Sequence, residues 1–375
     1  MHNVAIIGGG IGGVAAAVAL HKVGVPAIVY ERSPLLKEAG AGMMLWPNAT
    51  RVLKGLDLLE HIAARSGQSK WFLVRSSCGK ILMNISLGDL DVPALCIRRS
   101  DLLQALLSIL PPGCLRLSSA LAHLELSKSG VGLHFADGHS ECHDAVIGAD
   151  GIRSRVRAVL FGTSDPVYRG YTIWRGVGTY SGNALRRGSN SETWGPGSRF
   201  GILDTGSDSF TWYATANVSQ RESIPSDRRK SELLKRFAAW HEPIPTLIDS
   251  AEFILENGAY DLPPLARWTQ GRVTLLGDAA HPCTPNLGQG GGMALEDAAV
   301  LAKCFRRERS IEAALHTYET LRRQRTRHIQ QRSLLMGHIG QWQNRAVVAS
   351  RRVVTSLLPA AIFEHNLKSV YSYEP

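Results

Sequence analysis

The sequence predicts an α/β protein with two domains and a C-terminal helical segment. Three observations support this fold class. Short apolar runs at residues 4–7 and 27–30 flank an alanine-rich run, which is the strand, helix, strand order of a parallel central sheet. Runs rich in β-branched and aromatic residues at 71–74, 171–175 and 210–215 indicate an α+β domain with a mostly antiparallel sheet. The residues after position 305 have the composition of a long basic helix.

Length and composition agree with two folded domains. The chain has 375 residues, of which 44% are hydrophobic and 20% charged, so it is too apolar to be disordered and long enough to bury two cores. No apolar run reaches the roughly 18 residues that cross a bilayer, and no charged segment precedes the first strand as in a signal peptide. The six cysteines are scattered without a CxxC pair, which disfavours a disulfide framework and a zinc site. We therefore expect a cytoplasmic protein without a metal site.

The net charge of +10 is concentrated near the C-terminal end. Residues 301–352 contain twelve Lys and Arg but three acidic residues, a local excess of +9. A solvated basic helix face explains this excess most simply. Attraction of an anionic substrate or cofactor and contact with a lipid or nucleic-acid surface are the alternatives. No RRM, zinc-finger or helix-turn-helix signature supports nucleic-acid binding, so we do not expect the protein to bind nucleic acid.

A glycine motif follows the first strand directly. Gly8 permits a tight turn, Gly10 lets the backbone approach a pyrophosphate, and Gly13 allows close packing of helix on strand. The second strand ends at Glu31, 21 residues after Gly10, where an acid accepts hydrogen bonds from ribose hydroxyls. These features predict a Rossmann-like dinucleotide site, to which we also assign Arg32. The motif alone leaves FAD and NAD open.

Further stretches resemble motifs of a known flavoprotein family, and this resemblance favours FAD over NAD. Residues 146–157 resemble the GADG…S..R motif of the aromatic-hydroxylase flavoprotein monooxygenases, the single-component group A family of p-hydroxybenzoate hydroxylase. Residues 271–298 are similar to the second FAD fingerprint of that family, and residues 40–49 to its segment beside the isoalloxazine ring. Residues 99–102 resemble its R..L segment. The resemblance extends from residue 4 to about residue 340, in the order of the family.

The resemblance and the glycine motif together imply a set of FAD contacts. Asp278 ends a short apolar strand, where ligands bind in open α/β sheets, and the glycines after Pro285 let the backbone approach a flat ligand. We expect a helix over residues 293–304, its positive end towards the flavin. Position 292 is Gly where many relatives have Asn. The predicted contacts are Gly8, Gly10, Gly13, Glu31, Arg32, Gly42, Arg99, Asp150, Gly151, Asp278, Gly288, Gly290 and Gly291.

Three of these residues have structural alternatives. The resemblance implies that Asp150 and Gly151 contact both FAD and the nicotinamide nucleotide, and a role only in supporting the fold is the alternative for Asp150. Asp278 is alternatively a helix cap, and Arg99 an ordinary surface arginine. No second GxGxxG follows a strand, so NAD(P)H is expected to bind transiently in a cleft as a co-substrate.

The cofactor-binding pieces are discontinuous along the chain. Residues 1–65, 100–165 and 268–340 are assigned to the FAD-binding domain, and residues 66–99 and 166–267 to the substrate-binding domain. Residues 341–375 are expected to form a helical strap that packs on the body, with docking on a membrane surface as the alternative.

The substrate pocket is expected between the antiparallel sheet and the flavin. Arg175 and Arg199 are candidates to hold a carboxylate or phenolate, although a salt bridge on the outer face of the sheet explains either arginine equally well. Tyr213 is a candidate to hydrogen-bond a substrate hydroxyl, and Pro285 to line the pocket beside the reactive flavin carbon. His281 is interpreted as a packed, hydrogen-bonded residue near the flavin.

The resemblance implies an NAD(P)H-dependent FAD monooxygenase. In that family one oxygen atom of O2 passes through a flavin C4a-hydroperoxide into an aromatic or polycyclic small molecule, most often by ring hydroxylation. An FAD-dependent oxidoreductase without oxygen insertion is the alternative, followed by a non-catalytic flavin-binding protein. The sequence does not distinguish a monomer from a homodimer.

Overall fold

The computed structural model describes residues 3–36, 42–88, 90–206, 209–220 and 222–375, and the predicted contact segment at residues 40 and 41 lies outside them. The strands of these residues are β1 (Val4–Ile7), β2 (Ala27–Tyr30), β3 (Gly42–Leu45), β4 (Gly67–Ser69), β5 (Trp71–Ser76), β6 (Ile81–Ser86), β7 (Ala94–Arg98), β8 (Leu115–Arg116), β9 (Leu121–Leu126), β10 (Val131–Phe135), β11 (Ser140–His143), β12 (Ala145–Gly148), β13 (Val167–Thr179), β14 (Ser189–Gly195), β15 (Ser198–Asp204), β16 (Ser209–Asn217), β17 (Ile254–Asp261) and β18 (Val273–Leu275). The helices are α1 (Ile11–Lys22), α2 (Pro47–Gly55), α3 (Leu59–Ala63), α4 (Arg99–Ser108), α5 (Arg155–Phe161), α6 (Arg229–Phe237), α7 (Ile244–Asp249), α8 (Gly290–Arg307), α9 (Ile311–Gly340), α10 (Arg345–Leu357) and α11 (Ala360–Tyr371).

A parallel sheet forms the centre of the first layer. Its strand order is β18-β12-β1-β2-β8, and every neighbouring pair runs parallel. All four residues of β1 and of β12 are buried, as a parallel strand covered on both faces requires. α1 connects β1 to β2 and packs against α8. The predicted α/β fold class with a parallel central sheet is confirmed.

A seven-stranded sheet forms the second layer, in the order β17-β13-β16-β15-β14-β5-β6. Its pairs are antiparallel except β14 with β5, which run parallel. One face carries the fully buried rings of Trp174, Trp212 and Phe200, which belong to the same cluster as the buried side chains of α6 and α7. The other face carries polar side chains and leaves space for a site.

Two small sheets complete the body. β9, β10 and β11 form an antiparallel sheet within the segment predicted as part of the FAD-binding domain. β3, β7 and β4 form the other, which touches the seven-stranded sheet through β15 and β16. The domain boundaries drawn from the sequence stay a prediction.

The C-terminal helices lie on the outside of this body. α9 has 30 residues and buries Ile329, Ser333 and Gly337 along one side. Tyr371, at the end of α11, stacks on Trp46 with ring centroids 5.7 Å apart. Within the described ranges no single helix is long and apolar enough to cross a membrane. α10 and α11, bent by 93° at their junction, reach that length and composition only as a pair.

Candidate active site

The turn after β1 forms an open glycine cradle. Gly8 has φ +114°, and a Cβ there or at Gly13 would overlap a backbone carbonyl at well under the 3.0 Å that real Cβ atoms keep. Gly10, in contrast, has no atom within 4 Å of the position of a Cβ. α1 starts immediately after it without a side-chain cap, so the first N–H groups of the helix face this space. A cradle with free N–H groups and room beside Gly10 fits a pyrophosphate.

Glu31 lies at the edge of this cradle. Its carboxylate accepts hydrogen bonds from the backbone N–H of Gly9, at 2.8 Å, and of Ser33, at 2.9 Å. The side chain is half-buried, whereas the neighbouring Arg32 is exposed. The carboxylate is therefore fixed beside the glycine turn, where the sequence predicted a ribose contact.

Asp150 and Gly151 follow β12 on the other side of Gly8. The Asp150 carboxylate accepts hydrogen bonds from the Ser154 hydroxyl at 2.5 Å and the Arg155 N–H at 2.6 Å, and so caps α5. Burial raises the pKa of Asp150, and these hydrogen bonds oppose that rise. Gly151 has φ +80° and open space around it. The Asp150 contacts are those of a fold-supporting residue, and any contact with FAD would be additional.

Asp278 follows β18 at the carboxyl edge of the parallel sheet. Its side chain is accessible, yet enough protein surrounds it that burial raises the pKa of its carboxyl. The charges of His281, Arg99 and Arg157 oppose this rise. An accessible group enclosed in this way lines an internal cleft, and Arg99 reaches the same cleft.

The N-terminus of α8 faces the cleft from a second direction. Gly288 has φ +60° and turns the chain into α8, which begins at Gly290 rather than at residue 293 as predicted. The glycines form the first helical turn because N-terminal helix positions need no intrahelical N–H partner. A Cβ at Gly291 would overlap Met43, and one at Gly42 would overlap Thr211. The start of α8 therefore lies close against β3, and β3 lies close against β16 of the seven-stranded sheet.

A buried ionic network joins α8 to α9. Arg322 contacts Glu296 at 2.6 Å and Asp297 at 2.7 Å, and these three side chains are fully buried. His281 contacts Asp297 at 2.6 Å, in keeping with its interpretation as a packed residue. Although burial raises it, the pKa of Asp297 falls to about 2 because His281 and Arg322 surround the carboxylate. Sequence reasoning missed this network, since its members lie far apart along the chain.

The strand register brings several polar residues together on the inner sheet face. Arg175 pairs with Tyr213, Tyr213 with Gly201, and Gly201 with Glu192, so these residues form one row across four strands. The Tyr213 ring covers Gly201, where a Cβ would overlap it. Burial and the nearby charge of Glu192 raise the pKa of Tyr213 well above its ordinary value. A hydrogen bond to the Glu192 carboxylate adds to this rise, so the hydroxyl stays protonated and its oxygen remains available as an acceptor.

Arg175 carries a positive charge into the space between sheet and cradle. Its guanidinium donates to the Asn257 side-chain oxygen at 3.2 Å, and within the described ranges no carboxylate pairs with it. Burial lowers the pKa of Arg175, and the charge of Arg99 lowers it further. The charge of Arg99 acts on both Arg175 and Asp278, so the three side chains lie near one another.

Arg199 is placed differently from its predicted role. Its guanidinium contacts Glu192 at 2.9 Å, the Asn286 side-chain oxygen at 2.5 Å and the Gln341 oxygen at 3.2 Å. A buried arginine with these partners has little hydrogen-bonding capacity left for a substrate anion. Pro285 begins the short turn that carries Asn286 and so lies next to this cluster. Sequence reasoning missed Glu192, Asn286 and Gln341, because only the strand register and the position of α9 bring them to Arg199.

Comparison with known protein families identifies the family of this chain and the cofactor that the cleft would hold. The family model described as "FAD binding domain" matches residues 1–333. The chain belongs to the FAD-dependent aromatic-hydroxylase-type monooxygenases. Its cofactor is FAD, and NAD(P)H and O2 are the co-substrates typical of the family.

Curated relatives and solved structures agree with this assignment. The chain is 38% identical to "Aurachin C monooxygenase/isomerase" of Stigmatella aurantiaca over 91% of its length and 90% of that protein. It is 35% identical to "3-amino-4-hydroxybenzoate 2-monooxygenase" of Streptomyces cremeus, over 88% and 86%. The structure of Klebsiella pneumoniae HpxO complexed with FAD and uric acid superposes with a TM-score of 0.93 at 27% identity, over 100% of this chain and 97% of that one. These relatives are monooxygenases and give no support to the alternative of an oxidoreductase without oxygen insertion.

Proposed function

We propose that this monooxygenase hydroxylates a ring carbon of an electron-rich aromatic compound that carries an acidic oxygen, such as a phenol or an enolic heteroaromatic. The observation that carries the proposal is the Arg175 guanidinium, which faces the cleft beside Tyr213 with no carboxylate partner among the described residues. A half-buried cation without a counter-ion favours an anionic ligand. The compounds named for the relatives, 3-amino-4-hydroxybenzoate and uric acid, both carry acidic oxygens.

The cofactor would be held by the groups that surround the cleft. The N-terminus of α1 and the Gly10 space would take the pyrophosphate, Glu31 a ribose, and Asp278 a hydroxyl of the ribityl chain. The uncapped N-terminus of α8 would stabilise negative charge on the pyrimidine side of the flavin. When bound, FAD supplies hydride acceptance from NAD(P)H and activation of O2.

The chain itself supplies position and charge. Arg175 would favour the ionised form of the substrate oxygen, and the ring of that form is richer in electrons than the ring of the neutral compound. Tyr213 stays protonated because of its raised pKa, donates to Glu192, and would accept a hydrogen bond from a hydroxyl of the substrate. Arg199 would act indirectly, by holding Glu192 and the Asn286 turn in place. The inner sheet face would exclude water from the reacting carbon.

Turnover with isotopically labelled oxygen tests the reaction. The FAD-loaded enzyme is mixed with NADH or NADPH and aurachin C, 3-amino-4-hydroxybenzoate or uric acid, and nucleotide oxidation and ¹⁸O in the product are followed. Faster nucleotide oxidation with one labelled atom in the product is expected for at least one compound. Accelerated oxidation without any labelled product would refute oxygen insertion into that compound.

A matched pair of variants tests the assignment of Arg175. We expect Arg175→Gln to raise KM for an acidic substrate by about tenfold or more, because one charge-assisted hydrogen bond is lost. The control Arg228→Gln changes an exposed arginine of the same domain and should leave KM unchanged. An Arg175→Gln enzyme with full FAD content and parental KM would remove the basis of the proposed substrate class.

We also propose a cytoplasmic location for the enzyme. A cytoplasmic location is supported by the six scattered cysteines. Size-exclusion chromatography with light scattering distinguishes a monomer from a homodimer. Comparison of the rates of NADH and NADPH oxidation shows which nucleotide the enzyme prefers.

A further inference from the structure

The corner between α10 and α11 exposes a group of apolar side chains. Val353 is 56% exposed, Val354 54%, Leu357 75%, Leu358 37% and Ile362 46%. They occur within ten consecutive residues, on either side of the 93° bend between the helices. Single exposed apolar residues are ordinary, but a contiguous group of this kind marks an interaction surface. We call these five residues the corner patch.

The opposite side of α10 is fastened to the protein. Val348, Arg351 and Thr355 are buried and recur at the spacing of one helix face. Arg351 donates hydrogen bonds to the backbone oxygens of Ile339, at 2.7 Å, and Gly195, at 3.1 Å. α10 is therefore held in place, and its apolar strip faces outwards as part of the folded structure.

Positive charge surrounds the corner patch. Between residues 345 and 371 the exposed charged side chains are Arg345, Arg352 and Lys368, and the single acid, Glu364, is half-buried. On the neighbouring α9, Arg332 donates hydrogen bonds to the Ser369 hydroxyl at 2.6 Å and the Asn366 oxygen at 3.2 Å. Burial lowers the pKa of both His328 and Arg332, and nearby arginines lower each further, which shows how closely the cations are spaced.

We propose that the corner patch docks on the surface of an anionic lipid bilayer. An apolar strip bordered by basic residues is the pattern of helices that lie in the membrane interface. The sharp bend, the buried face of α10 and the buried C-terminal end of α11 favour a surface position over a span. A second copy of the chain fits less well, because a two-fold contact through the patch would bring Arg345 and Arg352 against like charges.

Sedimentation with vesicles tests this docking. The FAD-loaded enzyme of 375 residues is mixed with vesicles of phosphatidylcholine alone, or of phosphatidylcholine with phosphatidylglycerol, at low and high salt. We expect binding to the anionic vesicles that weakens as salt rises. The double variant Val354→Gln/Leu357→Gln should bind at least about tenfold more weakly, because two apolar side chains lose their insertion. Arg345→Gln/Arg352→Gln should lose roughly fivefold per charge.

The control is Leu126→Gln, which changes a side chain of similar exposure (42%) on β9 and should bind as the parent does. FAD content and NAD(P)H oxidation show that each variant is folded. Failure of the parent to sediment with anionic vesicles would overturn the proposal. So would unchanged binding of the Val354→Gln/Leu357→Gln protein, or a dimer of the parent that this variant abolishes. The vesicles contain no aromatic substrate, so the result is independent of the proposed reaction.

Discussion

Two glycines of the same motif are expected to respond differently to the same substitution. Gly10→Ala adds a methyl group where the protein has no atom within 4 Å, in the space that we assign to the pyrophosphate. Gly13→Ala adds it against the backbone oxygen of Gly8, far inside the 3.0 Å limit of real Cβ contacts. The first change should therefore weaken FAD binding, and the second should weaken the fold.

The size of each effect follows from these surroundings. Overpacking against backbone at Gly13 costs up to about 3 kcal/mol, and the better helix propensity of alanine in α1 offsets about 1 kcal/mol of this. The net loss of about 2 kcal/mol corresponds to a fall in melting temperature of roughly 4–8 °C. At Gly10 the apoprotein loses nothing, while a methyl group in the ligand space should raise the Kd for FAD by about tenfold or more, or at least ~1.4 kcal/mol.

The assay combines thermal melting of the apoproteins with FAD titration by flavin fluorescence. Gly55→Ala is the control, since Gly55 ends α2 in open space. It should bind FAD as the parent does and melt at the same or a higher temperature. Equal losses of apoprotein stability in the Gly10 and Gly13 variants would refute the reasoning. Parental FAD affinity of Gly10→Ala would refute the assignment of the space.

The remaining predictions concern the buried charges and the C-terminal helices. Arg322→Met should lower the free energy of unfolding by about 3–5 kcal/mol in urea denaturation, because Glu296 and Asp297 lose their buried cation. Asp297 has a pKa depressed to about 2, so its ionisation stabilises the fold above pH ~4 and this stabilisation is lost as pH falls to about 2. Asp297→Asn, less stable at pH 7, should lack this component in pH-dependent melting. Tyr371→Ala should cost about 3–5 kcal/mol, because the buried ring stacked on Trp46 is lost.

Controls separate these effects from general damage. Arg327→Met changes an exposed arginine on the same helix as Arg322 and should alter stability by less than about 0.5 kcal/mol. Tyr371→Phe keeps the stacked ring and should stay close to the parent. A loss for Arg322→Met no larger than that of its control would contradict the ionic argument. Identical pH profiles of the parent and the Asp297→Asn protein would contradict the pKa argument.

The sequence predicts the parts of the fold that depend on local signals. β1, the glycine turn, α1 and β2 follow within 30 residues, and each has a recognisable pattern from Val4 to Glu31. Glycine conformation, strand burial and helix propensity act over a few residues, so they can be read directly. The start of α8 was placed three residues late because Gly290 is a poor helix former in the interior of a helix but is tolerated in the first turn.

The inner sheet face could not be predicted in the same way. Arg175 and Arg199 have the same chemistry and both lie on strands of the same sheet. The register of β14 and β15 brings Glu192 to Arg199, whereas the described carboxylates leave Arg175 unpaired. The contacts of the two arginines depend on which residues face each other across neighbouring strands, and a shift of one residue in the strand register would change them. Some of their partners are also distant along the chain. Local composition therefore does not predict these contacts.

The order of strands in the parallel sheet has a consequence for how the enzyme is made. β1 is synthesised well before its sheet neighbours, since β12 begins at Ala145 and the next strand, β18, at Val273. Asp278 and the start of α8 follow later still, after every strand of the seven-stranded sheet has been synthesised. The substrate-side sheet therefore completes its chain before the cofactor cleft does. The FAD site is complete only after Asp278 and the start of α8 have been synthesised, so a cofactor-free form of the chain precedes the holoenzyme.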